Sequence, residues 1–93
     1  MEKTITKKIM KALTERGYFC IKIHGGPFQV AGLPDILVIK DGLAVWLEVK
    51  QPGKHATKLQ QAMITKLIRC GCWAGVVHNV NEALELIGEE PIE

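Results

Sequence analysis

Gly32-Leu33-Pro34-Asp35-Ile36-Leu37-Val38-Ile39-Lys40-Asp41-Gly42-Leu43-Ala44-Val45-Trp46-Leu47-Glu48-Val49-Lys50 decides how the chain is read. Asp41-Gly42 sits between two β-rich apolar runs, 36–39 and 43–47. That setting predicts a two-residue hairpin, because a type I′ turn needs positive φ at both central positions and Asp-Gly supplies it. With these two residues as the turn, Lys40 faces Leu43, Val38 faces Val45, Ile36 faces Leu47, and Asp35 faces Glu48. Directly opposed residues point to one face with Cβ atoms roughly 5 Å apart. The turn chemistry therefore sets two carboxylates side by side.

Two unit charges about 5 Å apart repel by roughly 3 kcal/mol at an effective dielectric near 20. A divalent cation held by both carboxylates reverses the sign of that term, and hard oxygen ligands suit Mg²⁺ or Mn²⁺. Lys50 lies two residues beyond Glu48, so strand alternation places its ammonium on the same face. Two carboxylates and a lysine at one end of a hairpin form a group suited to phosphodiester hydrolysis. In that chemistry the ion activates water, and the lysine orients the water or offsets charge on the phosphate.

Working outward, the hairpin is apolar on both faces: Ile36, Val38, Val45 and Leu47 on one, Leu37, Ile39, Ala44 and Trp46 on the other. Such a sheet needs helices on either side. Residues 4–16 read as an amphipathic helix with Ile5, Ile9, Ala12 and Leu13 in its stripe and Gly17 ending it. Glu2 precedes Ile5 by about one turn; it serves as a favourable anion at the helix N-terminus or approaches the acidic pair. Residues 18–23 read as a first strand that carries Lys22. The glycine-rich stretch 24–32 follows as a loop that delivers the chain to Pro34-Asp35, and Gly25, Gly26 and Gly32 would let backbone amides approach a phosphate. His24 reads as a structural histidine, with an acid–base role as its alternative.

Beyond the hairpin, residues 57–69 read as a second helix with Leu59, Met63, Ile64, Leu67 and Ile68 as the buried stripe. Thr57 and Gln60 fit a capping box, and Gln60 also faces inward one turn into the helix, within reach of the acids. Residues 73–78 read as a last strand. Asn79 with Glu82 reads as a second capping box on a short helix ending at Gly88, and 89–93 as a frayed acidic tail.

The bulk figures fit one small globular unit over residues 1–93: 93 residues, 47% hydrophobic, with apolar runs too short to cross a membrane. The start of the chain lacks a signal peptide's apolar stretch, and three cysteines with no CxxC spacing suit reduced thiols, so a cytoplasmic location is expected. A zinc site built from Cys70, Cys72, His55 and His78 fails on spacing. All 12 Lys and Arg lie within residues 1–69 with five acids, a formal +7, whereas 70–93 carry five acids and no base. That asymmetry suits contact with a polyanion, a solvated basic face being the competing account.

The order helix, three strands, helix, strand, helix, with Asp35 on the second strand and Glu48-Val49-Lys50 on the third, resembles the PD-(D/E)xK nuclease superfamily. The combination of Gly32-Leu33-Pro34-Asp35, Glu48-Val49-Lys50, Pro52-Gly53, Thr57-Lys58-Leu59-Gln60 and Gly71 is similar to the virus-type replication-repair nucleases (VRR-Nuc), in their stand-alone phage form. The resemblance spans nearly the whole chain. It implies an α/β fold with a restriction-endonuclease-like core, a mixed four-stranded sheet flanked by helices on both faces. It also implies metal ligation by Asp35, Glu48 and the Val49 main-chain carbonyl, with Glu2 a weaker match, and catalytic roles for Lys50 and Gln60. Lys22, Lys54 and the three loop glycines are the candidate DNA contacts. The function implied is a Mg²⁺- or Mn²⁺-dependent endodeoxyribonuclease, a homodimer acting on four-way or other branched DNA in a phage-infected or bacterial cytoplasm. A DNA-binding module that kept the fold and lost the chemistry is the alternative, and intact Asp35, Glu48 and Lys50 speak against it.

Overall fold

In the computed structural model, residues 1–26 and 29–90 are described. The elements run α1 (Glu2–Glu15), β1 (Phe19–Lys22), β2 (Ile36–Lys40), β3 (Leu43–Val49), α2 (Lys58–Arg69), β4 (Trp73–Val77) and α3 (Val80–Leu86). The expected loop at 24–32 includes Pro27 and Phe28, and the expected tail includes 91–93; these five residues lie outside the described ones.

The hairpin forms in the expected register. Asp41 at φ 49° and Gly42 at φ 81° make the turn, and the ladder pairs Lys40 with Leu43, Val38 with Val45 and Ile36 with Leu47. β1 joins the other side of β2 antiparallel. β4 runs parallel to β3, which requires the crossover that α2 supplies. The sheet order is β1-β2-β3-β4, a mixed four-stranded α/β sheet as expected.

Alternation assigns the faces. Ile36, Val38, Val45, Leu47, Val49 and Val77 are buried against Ile9 and Leu13 of α1, Ala83 and Leu84 of α3 and Ile87 at its C-cap. Each large aliphatic side chain buried there contributes about 1.5–3 kcal/mol, which makes this face the main source of cohesion. The opposite face carries Leu37, Ile39, Ala44, Trp46 and Glu48, and α2 packs on it at β4.

The second helix departs from expectation. None of its residues is fully buried, and Leu59 and Ile68 are 56% and 51% exposed. The five apolar side chains span too wide an arc. At 100° per residue Leu59 and Ile68 lie on opposite flanks, so only Met63, Ile64 and Leu67 turn toward the sheet.

Smaller corrections follow the same local chemistry. α1 begins at Glu2 rather than residue 4 and ends at Glu15, and β1 is shorter at both ends than 18–23. The Asn79 side chain accepts from Glu82 N–H, but the Glu82 carboxylate turns to the His78 backbone N–H and ring instead of completing the box. Glu89 is not frayed: its N–H donates to the Leu84 carbonyl and its carboxylate accepts from the Tyr18 hydroxyl. No helix among the described residues is long and apolar enough to cross a membrane.

Gly32 fixes the approach of α2 to the strand entry. It has φ +82°, and a Cβ there would lie 3.0 Å from the Leu59 carbonyl oxygen. Gly32→Ala is therefore expected to cost on the order of 1–3 kcal/mol in denaturant unfolding, through strained backbone and displaced helix. Gly25→Ala, where a Cβ meets nothing within 4 Å, is the control and stays within about 0.5 kcal/mol of the parent.

Candidate active site

Pro34 is fully buried and delivers Asp35 to the start of β2. The Asp35 carbonyl accepts from Ile23 N–H at 2.8 Å, prolonging the β1–β2 pairing by one bond. Its carboxylate crosses to β3, where Oδ2 accepts from Val49 N–H at 2.8 Å. The regular ladder thus stops at Ile36–Leu47, and a side chain takes the next backbone donor. Asp35 and Glu48 are neighbours, as the register requires, with the Asp35 carboxyl anchored to the main chain.

Glu48 is the buried member, 2% exposed. Its Oε2 accepts from Gln60 Nε2 at 3.2 Å and lies 3.7 Å from Lys50 Nζ. Its Oε1 is buried with no hydrogen-bond partner among the described residues. Burial pushes the Glu48 carboxyl up to about 7, helped by the charge and carboxyl contact of Asp35 and opposed in part by Lys50. A buried carboxylate with one oxygen unanswered is costly unless a cation or proton meets it.

Gln60 caps α2 and also meets Glu48. Its Oε1 accepts from Thr57 N–H at 2.9 Å and its N–H donates to the Thr57 hydroxyl, a complete capping box. The same amide's Nε2 donates to Glu48. One side chain thus starts α2 and fixes a carboxylate oxygen.

The Val49 carbonyl points the right way for a further ligand. Lys50 N–H donates to the Val77 carbonyl on β4 at 3.0 Å. In a trans peptide the C=O opposes the N–H, so the Val49 oxygen points away from β4, toward the side where Val49 N–H meets Asp35. The donors that could hold a metal are therefore all oxygen: two carboxylates and a carbonyl. Among the described residues no third His, Cys, Asp or Glu joins them in a cluster, so Glu2 is not gathered with the pair.

Two cavities open on Asp35. One, of about 500 Å³, is lined by Glu2, Lys3, Thr6, Lys22, His24 and Asp35. The other, of about 370 Å³, is lined by loop residues that include Gly25, Gly26 and Gly32. Lys22 and the three glycines thus border the site, whereas Lys54 lines neither cavity and its carbonyl meets His78 Nε2 at 3.1 Å. Lys3 borders the Glu2 cavity and was not anticipated, since a lysine next to Glu2 in a first turn carries no sequence signal for it. Cys20, Cys70 and Cys72 are free thiols.

Two solved structures share this architecture. One described as "VRR_NUC domain" matches with a TM-score of 0.77 at 23% identity over 92% of each chain. Another, "VRR_NUC domain protein", matches with a TM-score of 0.77 at 20% identity, covering 94% of this chain and 84% of that one. No protein-family model and no curated protein matches the sequence. At these identities the likeness is one of fold, and the fold of this chain is that of the VRR_NUC domain, the α/β arrangement its motifs resemble.

The raised Glu48 carboxyl has a signed consequence for stability. Its folded value of about 7 exceeds the ordinary 4.5, so the folded chain holds the proton more tightly than the unfolded one. That contribution is fully present below about pH 4.5 and is lost as pH rises through 7. In EDTA, Glu48→Gln is expected to be more stable than the parent at pH 8, by up to about 3 kcal/mol, and to match it near pH 4.5. Thermal melts of both proteins across that range check it.

Proposed function

We propose that this chain is a metal-dependent endodeoxyribonuclease of the VRR-Nuc family, within the PD-(D/E)xK superfamily, with residues 1–93 forming a single nuclease domain. The observation that supports this most is Glu48: buried, one oxygen without a partner among the described residues, beside Asp35 and 3.7 Å from the Lys50 ammonium. A surface ion pair has no use for such burial. Asp35, Glu48 and the Val49 carbonyl would hold Mg²⁺ or Mn²⁺, with Glu2 a weaker candidate across the cavity it shares with Asp35.

Bound there, the ion would supply positive charge beside the scissile phosphate and lower the pKa of a nearby water. The chain's own groups do the rest. Val49 N–H fixes the Asp35 carboxylate, and the Gln60 amide fixes Glu48 Oε2, while Oε1 has no partner among the described residues. Lys50, 14% exposed and held near Glu48, presents its ammonium to the attacking water or to the charge that grows on the phosphate. Lys22, Lys3 and His24 line the cavity beside Asp35 and would contact the phosphates on either side of the cut.

The substrate proposed is branched DNA, four-way junctions foremost, cut by a homodimer in a bacterial or phage-infected cytoplasm. Paired cuts on two-fold symmetric DNA call for two sites related by a two-fold axis. No recognition helix stands out, so selection would act on DNA shape through phosphate contacts.

An end-labelled four-way junction incubated with Mg²⁺ or Mn²⁺ tests the proposal. Paired symmetric nicks are expected, lost in EDTA and reduced at least about 1,000-fold in Glu48→Ala and Lys50→Ala, with a smaller loss in Gln60→Ala. Equal cutting of every duplex would remove the junction preference and keep the enzyme. Binding without cleavage would move the assignment to a non-catalytic DNA-binding module.

A further inference from the structure

Between Lys50 and the first turn of α2 the chain makes one tight reversal. Gln51-Pro52-Gly53-Lys54 has proline second and glycine third, Gly53 takes φ +83°, and Lys54 N–H donates to the Gln51 carbonyl at 3.0 Å. That is the pattern of a type II turn. Beyond it the Ala56 carbonyl accepts from the Gln61 amide at 2.8 Å, and Thr57 caps α2. The segment thus has Lys50 at one end and Gln60 just past the other. Both side chains meet Glu48 Oε2, at 3.7 and 3.2 Å. Where the turn sits decides how those two groups stand around the carboxylate.

The ring of His78, the residue that follows β4, ties the turn to α3. Its Nε2 meets the Lys54 carbonyl at 3.1 Å, and its Nδ1 meets Oε1 of Glu82, in the first turn of α3, at 2.8 Å. The same carboxylate oxygen accepts from His78 N–H at 2.9 Å, which fixes where the ring hangs. The bond from His78 holds the Glu82 carboxyl below its ordinary range, so it is ionised. A backbone carbonyl only accepts, and so does an ionised carboxylate. A neutral imidazole has one N–H and one lone pair, so it must turn the lone pair to one of these two neighbours. Only the imidazolium donates to both.

We propose that His78 is a positioning residue: protonated, it latches the 51–54 turn to α3, and deprotonated it releases the turn, so that Lys50 and Gln60 lose their fixed frame around Glu48. The turn is the side released because the remaining proton stays on Nδ1, where the carboxylate makes the stronger, charge-assisted bond. The charged neighbours set the sign. From α3 the ring faces Glu82. From β3 its neighbour is Lys50, one residue beyond the Val49–Val77 pair, and from the turn it is Lys54. Of these side chains Glu82 acts on the ring, and its carboxylate, with the Lys54 carbonyl, holds the imidazole above the ordinary 6.5, burial opposing them. The latch is therefore closed below pH 6.5 and opens as pH rises through the folded value. The latch stands on these bonds alone; its effect on cleavage rests on the roles proposed for Lys50 and Gln60.

Two measurements without metal or DNA test it. Nitrogen-detected NMR of the His78 ring in the parent is expected to show protons on both nitrogens at pH 6, with a midpoint above 6.5 that falls in Glu82→Gln. Amide exchange across residues 51–56 is read in a Glu48→Gln background, where Glu48 no longer titrates. Protection there, corrected for the intrinsic effect of pH, is expected to drop at least about threefold through the same midpoint, and to be low at every pH once His78→Ala is added. With Glu48 intact, His78→Ala is expected to lower kcat on a four-way junction about tenfold and to leave KM within about twofold. A ring with a single proton at pH 6, or exchange that ignores His78→Ala, would overturn the latch whatever the chain cleaves. The ring spectrum needs no substitution at position 78, so it decides even where His78→Ala does not fold. A latch that titrates as expected in a chain that cuts no DNA supports the latch and removes the nuclease reading alone.

Discussion

A carboxylate taken out of water governs this structure. Glu48 sits inside the sheet's second face at 2% exposure, with one oxygen held by Gln60 and the other without a hydrogen-bond partner among the described residues. An ionised carboxylate in that position is unfavourable, so its carboxyl is pushed up to about 7. Nearby elements are placed with respect to it. β2 begins one residue after Asp35, whose side chain reaches the main chain of β3, Lys50 follows Glu48 by two residues, and the first turn of α2 carries the glutamine that grips Glu48. Such local strain is tolerable because the opposite face supplies the cohesion.

The two faces of the sheet divide the labour. One is dry, aliphatic and covered by α1 and α3. The other carries the acids at one end and, toward β1, apolar side chains that α2 does not reach. A helix with no fully buried residue is weakly held for its length. Its ties are the Gln60 contacts, the close approach to Gly32 and the packing on β4. The same helix thus fixes Glu48 through Gln60 and keeps Leu59 exposed on its flank.

Much of this was legible because the informative signals were local. Asp41-Gly42 specifies its turn by backbone sterics alone, and a turn plus alternation fixes the register, the faces and the meeting of Asp35 with Glu48. The Thr57–Gln60 box was legible for the same reason. Tertiary choices were not. The periodicity of α2 shows which residues are apolar but not how far the sheet extends beneath them, so Leu59 and Ile68 were assigned to a core that stops short of them. Glu82 has two donors within reach, the Asn79 and His78 N–H groups, and only the fold decides between them. Lys54 and Lys3 differ for a comparable reason, since basic residues in loops and first turns carry no marker of the cavity they border.

The central claim is that Glu48 is kept buried and proton-hungry for a cation. The most direct test is calorimetric titration of Mn²⁺ into the DNA-free protein at pH 6 and pH 8.5, in buffers of different ionisation enthalpy, beside Glu48→Gln. The account predicts binding at Glu48 with release of close to one proton at pH 6, release near zero at pH 8.5, and binding lost in the variant. Binding with equal proton release at both pH values, or binding that survives Glu48→Gln, would contradict it.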